Sequence, residues 1–204
     1  PEMAIDVETK ILDANVGYFR FNGFFDPIRL MPAYRKAVKE FESADGMIID
    51  IRGNGGGMVG MCMGIAGPLA PTKAPLGVMK MRDNELKLAV NKSRKPYSKK
   101  VAVLVDEASA SASEILAVGF QDVKITRVFG NRTAGLSLQS TIEKLPNGDG
   151  FQYAIANYVS AGGKELEGNG VVPDEVVPLT QANLTAEIDP VLKKALQWIH
   201  STDK

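Results

Sequence analysis

Two short stretches hold most of what could do chemistry in this sequence, Gly53-Asn-Gly-Gly-Gly57 and Ala108-Ser-Ala-Ser-Ala-Ser-Glu-Ile115. Each follows a short apolar run and leads into a segment of helical character. Backbone N–H groups at the end of a buried strand and the start of a helix lack intrahelical acceptors, so such turns can bind negative charge. In the serine turn this suggests a nucleophile elbow, with a hydroxyl exposed at the tip of a strand and the N–H of Ala112 aimed at an oxyanion. The same residues also spell a helix cap. Ser111-x-x-Glu114 is a capping box, and Ser109 or Ser113 could cap instead. In the glycine turn, missing side chains would let a ligand or another backbone approach the N–H groups, or would simply meet a need for positive φ. Gly55-x-Gly57-x-x-Gly60 also fits a dinucleotide fingerprint, but the acid that should follow about 20 residues on is absent and Asp83 comes too late. No Gly-Lys-Ser/Thr follows the glycines, which argues against a triphosphate loop.

The elements that must position these turns read as an α/β core. Residues 3–22 alternate and form a hairpin around Asp13-Ala-Asn. Pro32 suits the first turn of a helix in which Tyr34, Ala37, Val38 and Phe41 fall on one face. Residues 46–52 and 101–106 are continuous apolar runs of the buried parallel type. Each is followed by its turn and a helix, over 58–66 and 112–120, and residues 125–129 add another strand. Strand, turn and helix in repetition argue for βαβ crossovers. Residues 138–145 and 151–160 form a hairpin extension around Asn147-Gly-Asp-Gly. Residues 173–178 make a short edge strand, and Asp189 caps a C-terminal helix that carries the only histidine, His200.

Composition narrows the partners. At 204 residues the chain can hide roughly 70% of its unfolded surface, enough for one domain. Balanced charge, 24 Lys+Arg against 24 Asp+Glu, with no basic run, argues against nucleic acid. The longest apolar stretch, around residues 60–70, is broken by Gly and Pro and falls short of the ~20 residues of a membrane span. Cys62 stands alone, so no intrachain disulfide is expected and the compartment stays open. No His/Cys/Asp/Glu cluster has metal-ligand spacing, so neither a metal nor a cofactor is expected. The first residues alternate like a strand rather than a signal peptide, so the chain reads as cut from something longer.

The two turns together carry a resemblance. Asp50-Ile-Arg-Gly-Asn-Gly-Gly-Gly57 followed by Val105-Asp-Glu-Ala-Ser-Ala-Ser-Ala-Ser-Glu-Ile115 is similar to the core of the C-terminal processing, or tail-specific, serine peptidases of family S41. Val16-Gly-Tyr-Phe-Arg-Phe21, Phe120-Gln-Asp122, Val128-Phe-Gly-Asn-Arg-Thr-Ala-Gly135 and Glu167-Gly-Asn-Gly-Val-Val-Pro-Asp174 resemble further blocks of that family in order and approximate spacing. The resemblance implies a ClpP/crotonase-like layered α/β core of repeated ββα units. Residues 1–204 would be one peptidase core domain, with the PDZ and N-terminal helical parts outside this chain. It implies a serine endopeptidase acting on unfolded or C-terminal polypeptide, weakly favours an extracytoplasmic location, and makes Ser111 the nucleophile. The oxyanion donors would be the N–H of Ala112 and of Gly57, with Gly56 as the other candidate. Asp122 matches a family aspartate, though a helix-end aspartate also serves as a cap or ion-pair partner.

The general base departs from that pattern. Processing peptidases activate serine with a lysine in Thr-x-Gly-Lys-Gly, and here Thr133-Ala-Gly-Leu-Ser-Leu-Gln139 puts Leu136 in its place. Thr-Ala-Gly without lysine resembles the tricorn-like branch, in which a histidine of the opening strand is the base and a glutamate matched by Glu167 supports the site. Arg20 occupies the histidine position; it stays protonated and is expected instead to hold a substrate carboxylate. Lys99, Lys144 and Lys164 are equivalent as substitutes on sequence alone. Two other readings stay open: a peptidase fold that has lost catalysis and binds a peptide or apolar ligand, and a crotonase-type binder of an acyl thioester.

Overall fold

The computed structural model describes residues 4–178, 180–186 and 188–202. Residue 3, where the first alternation is expected to begin, lies outside them. The opening hairpin forms from β1 (Val7–Leu12) and β2 (Val16–Phe21), paired antiparallel. Helix α1 (Pro27–Glu40) comes next, then β3 (Gly46–Asp50) and α2 (Gly60–Ala66). A second hairpin, β4 (Ala74–Met81) and β5 (Glu85–Val90), leads to β6 (Lys100–Val105), α3 (Ala112–Asp122) and β7 (Arg127–Gly130). The chain closes with β8 (Gln139–Lys144), β9 (Gly150–Ser160), β10 (Glu175–Val176), α4 (Gln181–Thr185) and α5 (Pro190–His200).

Six strands make a central sheet in the order β1-β2-β3-β6-β7-β10, parallel from β2 onward. Val16, Tyr18, Ile48, Ala102 and Leu104 face α5, where they meet Val191, Ala195 and Ile199. Phe19, Phe21, Ile49, Val103 and Val105 face the other way, into the larger core with α1, α2 and α3. This two-sided burial is why β3 and β6 read as unbroken apolar runs. The four remaining strands form an antiparallel sheet, β5-β4-β9-β8, which packs on α3 through β4 and β9. With a sheet on either side, α3 is buried at every position from Ala112 to Phe120.

The first helix begins earlier than its apolar spacing suggests. Asp26 accepts a hydrogen bond from Arg29 N at 2.9 Å and Pro27 occupies the first turn, so Pro32 lies inside α1. An Asp-Pro pair supplies both cap and preset φ, and Pro32 gives up a single i to i−4 bond, to the exposed Ile28. At the other end of the chain, Asp189 caps α5 through Leu192 N at 2.9 Å. Its carboxylate also pairs with Arg52 at 2.9 Å, and Arg52 grips the fully buried Asp50 at 2.6 Å. Tyr18 donates to the same Asp50 at 2.7 Å, so one buried network fixes α5 to the central strands.

Candidate active site

β3 and β6 are parallel neighbours, so the glycine turn and the serine turn leave the same edge of the sheet side by side. Asp106 Oδ1 accepts Gly53 N at 2.9 Å, and Ser109 Oγ donates to Ile51 O at 2.8 Å. Ser113 Oγ donates to Asn54 O at 2.9 Å, and Ala110 N to the same carbonyl at 3.0 Å. Two of the alternating serines are therefore staples between the turns, and neither caps α3. Ser111, between them, keeps its hydroxyl out of the stapling. Asn54 is the hub on the glycine side. Fully buried, it donates to Phe21 O at 2.9 Å and accepts Gly56 N at 2.9 Å.

The backbone of Ser111 sits at φ 54 and ψ −117, a sharp strand-to-helix corner. A Cβ on Gly56 would lie 2.7 Å from Ser111 Cβ and 2.9 Å from Ala112 N, so the glycine backbone is seated directly against the serine. Gly56 spends its N–H on Asn54. Neither Gly57 N–H nor Ala112 N–H donates to a protein acceptor among the described residues. Of the two glycine candidates, Gly57 is thus the one with a free donor. Behind Ala112, Cys62 donates its thiol to Ala112 O at 3.2 Å, and burial pushes that thiol's pKa up to about 12, so it stays neutral.

Glu114 holds more of this corner than a cap would. Its carboxylate is fully buried and accepts Ser111 N at 3.0 Å and Leu136 N at 2.9 Å on one oxygen. On the other it accepts Thr133 Oγ1 at 2.6 Å and Gly135 N at 2.8 Å. Ser111 N also donates to Leu136 O at 3.0 Å, so residues 133–136 are laid against Ser111 and locked there. The sequence shows the capping spacing of Glu114 but not this second set of partners, which come from 19 to 22 residues away.

The other expected site residues disperse. Glu167 accepts Ser137 N at 2.7 Å and Leu138 N at 3.0 Å, pinning the segment that runs from Leu136 to the start of β8, without bonding to Ser111. Asp122 stands apart from Ser111. It lies at the far end of α3, eleven residues or about 16 Å along the helix from Ser111. There it accepts Gly162 N at 2.6 Å and pairs with Lys164 at 3.4 Å. Arg20 stands apart from Ser111 as well. Strand alternation puts it on the α5 face with Tyr18, opposite α3. It lines a cavity of about 340 Å³ with Arg52, Asp106, Glu107 and Asn131, and Ser111 is not part of that lining.

No titratable side chain hydrogen-bonds to the Ser111 hydroxyl among the described residues. His200 is 3.6 Å from Asp45, which precedes β3, at the opposite end of the sheet. Lys99 donates to Ala44 O at that same end. Lys144 lies on the exposed β8, and Leu136 projects 61% exposed beside Ser111.

Comparison with known proteins supplies a family context. The family model for peptidase family S41 matches residues 15–177. A carboxyl-terminal-processing protease of Synechocystis sp. is 30% identical over 188 residues, covering 91% of this chain and 44% of its own. The chain therefore spans less than half the length of that relative. The photosystem II D1 C-terminal processing protease superposes with a TM-score of 0.72 at 24% identity, over 97% of this chain and 52% of that one. A candidate peptidase of Parabacteroides merdae superposes with a TM-score of 0.84 at 21% identity, over 99% and 67%. At these identities the superpositions speak to the fold.

Proposed function

The chain belongs to peptidase family S41, and from that membership together with the geometry around Ser111 we propose that it forms a serine endopeptidase core of the C-terminal processing type. One observation carries the proposal. Ser111 stands on a tight corner with the glycine turn seated against it, and the N–H groups of Ala112 and Gly57 are left without acceptors. Ser111 Oγ attacks the scissile carbonyl carbon, and charge on the carbonyl oxygen is taken up by those two donors. Loss of one such donor typically costs about 3–4 kcal/mol of transition-state stabilisation. The C–N bond then breaks, the amine leaves with a proton, and water hydrolyses the ester on Ser111. Glu114 and Glu167 act as positioning residues through the 133–138 segment.

An extended, unfolded polypeptide suits the surroundings. Phe25, Met58, Leu136 and Leu138 are exposed apolar side chains adjoining the two turns and the pinned segment, and they would rim a peptide laid beside Ser111. Layering of the ClpP/crotonase kind belongs to the same proposal. It is supported by the β1-β2-α1 unit and by α3 held between two sheets. Residues 1–204 serve as a single core domain in this reading. The test is digestion of an unstructured protein by this chain and by Ser111→Ala across a range of pH. Cleavage lost in the variant is the expected result, and the pH profile reports the pKa of the group that takes the serine proton. Equal cleavage by both proteins would overturn the assignment, and peptide binding with no cleavage would make the chain a binding module.

A further inference from the structure

Gly56 and Gly57 follow one another at positive φ, 96 and 137, on the part of the chain with the greatest backbone freedom. A donor on so free a stretch stabilises an oxyanion only if its direction is set before the substrate arrives. Two hydrogen bonds set it here. Gly56 N donates to Asn54 Oδ1 at 2.9 Å, and Gly56 O accepts Phe24 N at 2.9 Å. The peptide that joins Gly56 to Gly57 is trans, so its N–H and C=O point opposite ways. With Gly56 O turned to Phe24, the Gly57 N–H points away from Phe24. Gly56 itself is buried and seated against Ser111 and Ala112, whereas Gly57 is exposed.

Asn54 ties this arrangement to the rest of the fold. Its side chain is fully buried and both ends of the amide are used, Nδ2 donating to Phe21 O at 2.9 Å while Oδ1 takes Gly56 N. Its backbone carbonyl accepts Ala110 N at 3.0 Å and Ser113 Oγ at 2.9 Å, from either side of Ser111 in the sequence. One residue thus joins the end of β2, the glycine turn and the serine turn. Among the described residues, no other side chain hydrogen-bonds to the backbone of residues 55–57. Both bonds on Gly56 also lead back to the same short stretch after β2, through Asn54 to Phe21 and directly to Phe24.

We propose that Asn54 is a positioning residue for the oxyanion site: its amide takes the competing Gly56 N–H out of use and, together with Phe24 N, aims Gly57 N–H at the reacting carbonyl oxygen. That role rests on Ser111 as the nucleophile. Asn54→Leu keeps the approximate shape and loses both bonds of the amide. Asn54→Asp keeps an acceptor for Gly56 N, loses the donor to Phe21 O and buries a carboxylate, so a purely structural Asn54 would leave it no better than Asn54→Leu. The test is saturation kinetics of Ser111 labelling by a fluorophosphonate. Ser111 Oγ bonds to phosphorus, fluoride leaves with the bonding electron pair, the serine proton passes to water, and the phosphoryl oxygen draws on the oxyanion donors. In folded Asn54→Leu the maximal labelling rate should fall about tenfold or more, with the half-saturating concentration unchanged, and Asn54→Asp should recover most of the rate. The unmutated chain gives a second readout by NMR: on labelling, the Gly57 amide proton should shift while that of Gly56 stays in place. Equal maximal rates in the parent and Asn54→Leu, no recovery in folded Asn54→Asp, or equal shifts at Gly56 and Gly57 would overturn the role of Asn54 and leave Ser111 standing. No labelling of the parent chain would overturn the Ser111 reading and the role of Asn54 with it.

Discussion

Ser111 adopts a positive φ that favours glycine, a conformation that costs an L-residue about 1–3 kcal/mol. The surrounding bonds to Glu114 and Leu136 hold it there. Ser111→Gly should therefore be more stable than Ser111→Ala by about 1 kcal/mol in denaturant unfolding, although both lose the hydroxyl. Equal stabilities would mean that the corner is not strained. Gly56→Ala should cost activity as well as stability, because its methyl group meets Ser111 Cβ at 2.7 Å and the Ala110 carbonyl at 2.7 Å. Leu136 is the residue on which the base question turns. Its carbonyl accepts Ser111 N and its side chain is exposed, so Leu136→Lys tests whether an amine at this position can serve the hydroxyl. Peptide hydrolysis should rise tenfold or more in that variant; a rate no higher than that of the parent chain would show that position 136 cannot supply the base.

The strands and helices that frame the site were legible because their patterns are local. A five-residue apolar run, a glycine turn and a capped helix each announce themselves within one window, and β3, β6 and α5 form close to where those patterns put them. The β4–β5 hairpin was not legible, since β4 alternates poorly around the bulge between Pro75 and Gly77 and β5 is mostly exposed. The start of α1 was misplaced because apolar spacing outweighed the Asp26-Pro27 cap. That Asp122 and Arg20 stand apart from Ser111 was not legible for a different reason: a matched motif position does not fix which end of a helix or which face of a strand a side chain occupies. Asp122→Asn should lower stability by about 1–2 kcal/mol through the Gly162 contact. It should leave the rate of Ser111 acylation unchanged. A large loss of acylation in a folded Asp122→Asn protein would return the residue to the site.

Across the whole molecule, burial favours the protonated form of two groups, Cys62 and Tyr97. Burial raises the Cys62 thiol from 9.0 to about 12. Burial, with Asp45 nearby, raises the Tyr97 phenol from 10.0 to about 12. Both groups hold their protons more tightly folded than unfolded, so their contribution to stability is complete below pH 9 and drains away as the pH climbs from about 9 towards 12. Unfolding midpoints measured from pH 8 upward should fall over that window, and Cys62→Ala should flatten the fall. A fall equally steep in the variant would place the alkaline sensitivity elsewhere.

The same architecture carries the central claim, because α3 is clamped between the sheets with Ser111, the residue just before its first turn, partly exposed at the glycine turn. Incubation of the chain and of Ser111→Ala with a fluorophosphonate, followed by intact mass and peptide mapping, tests it most directly. The account predicts one adduct per chain, mapped to Ser111 and absent from the variant. No adduct on the folded chain, or an adduct on another serine that survives Ser111→Ala, would contradict it.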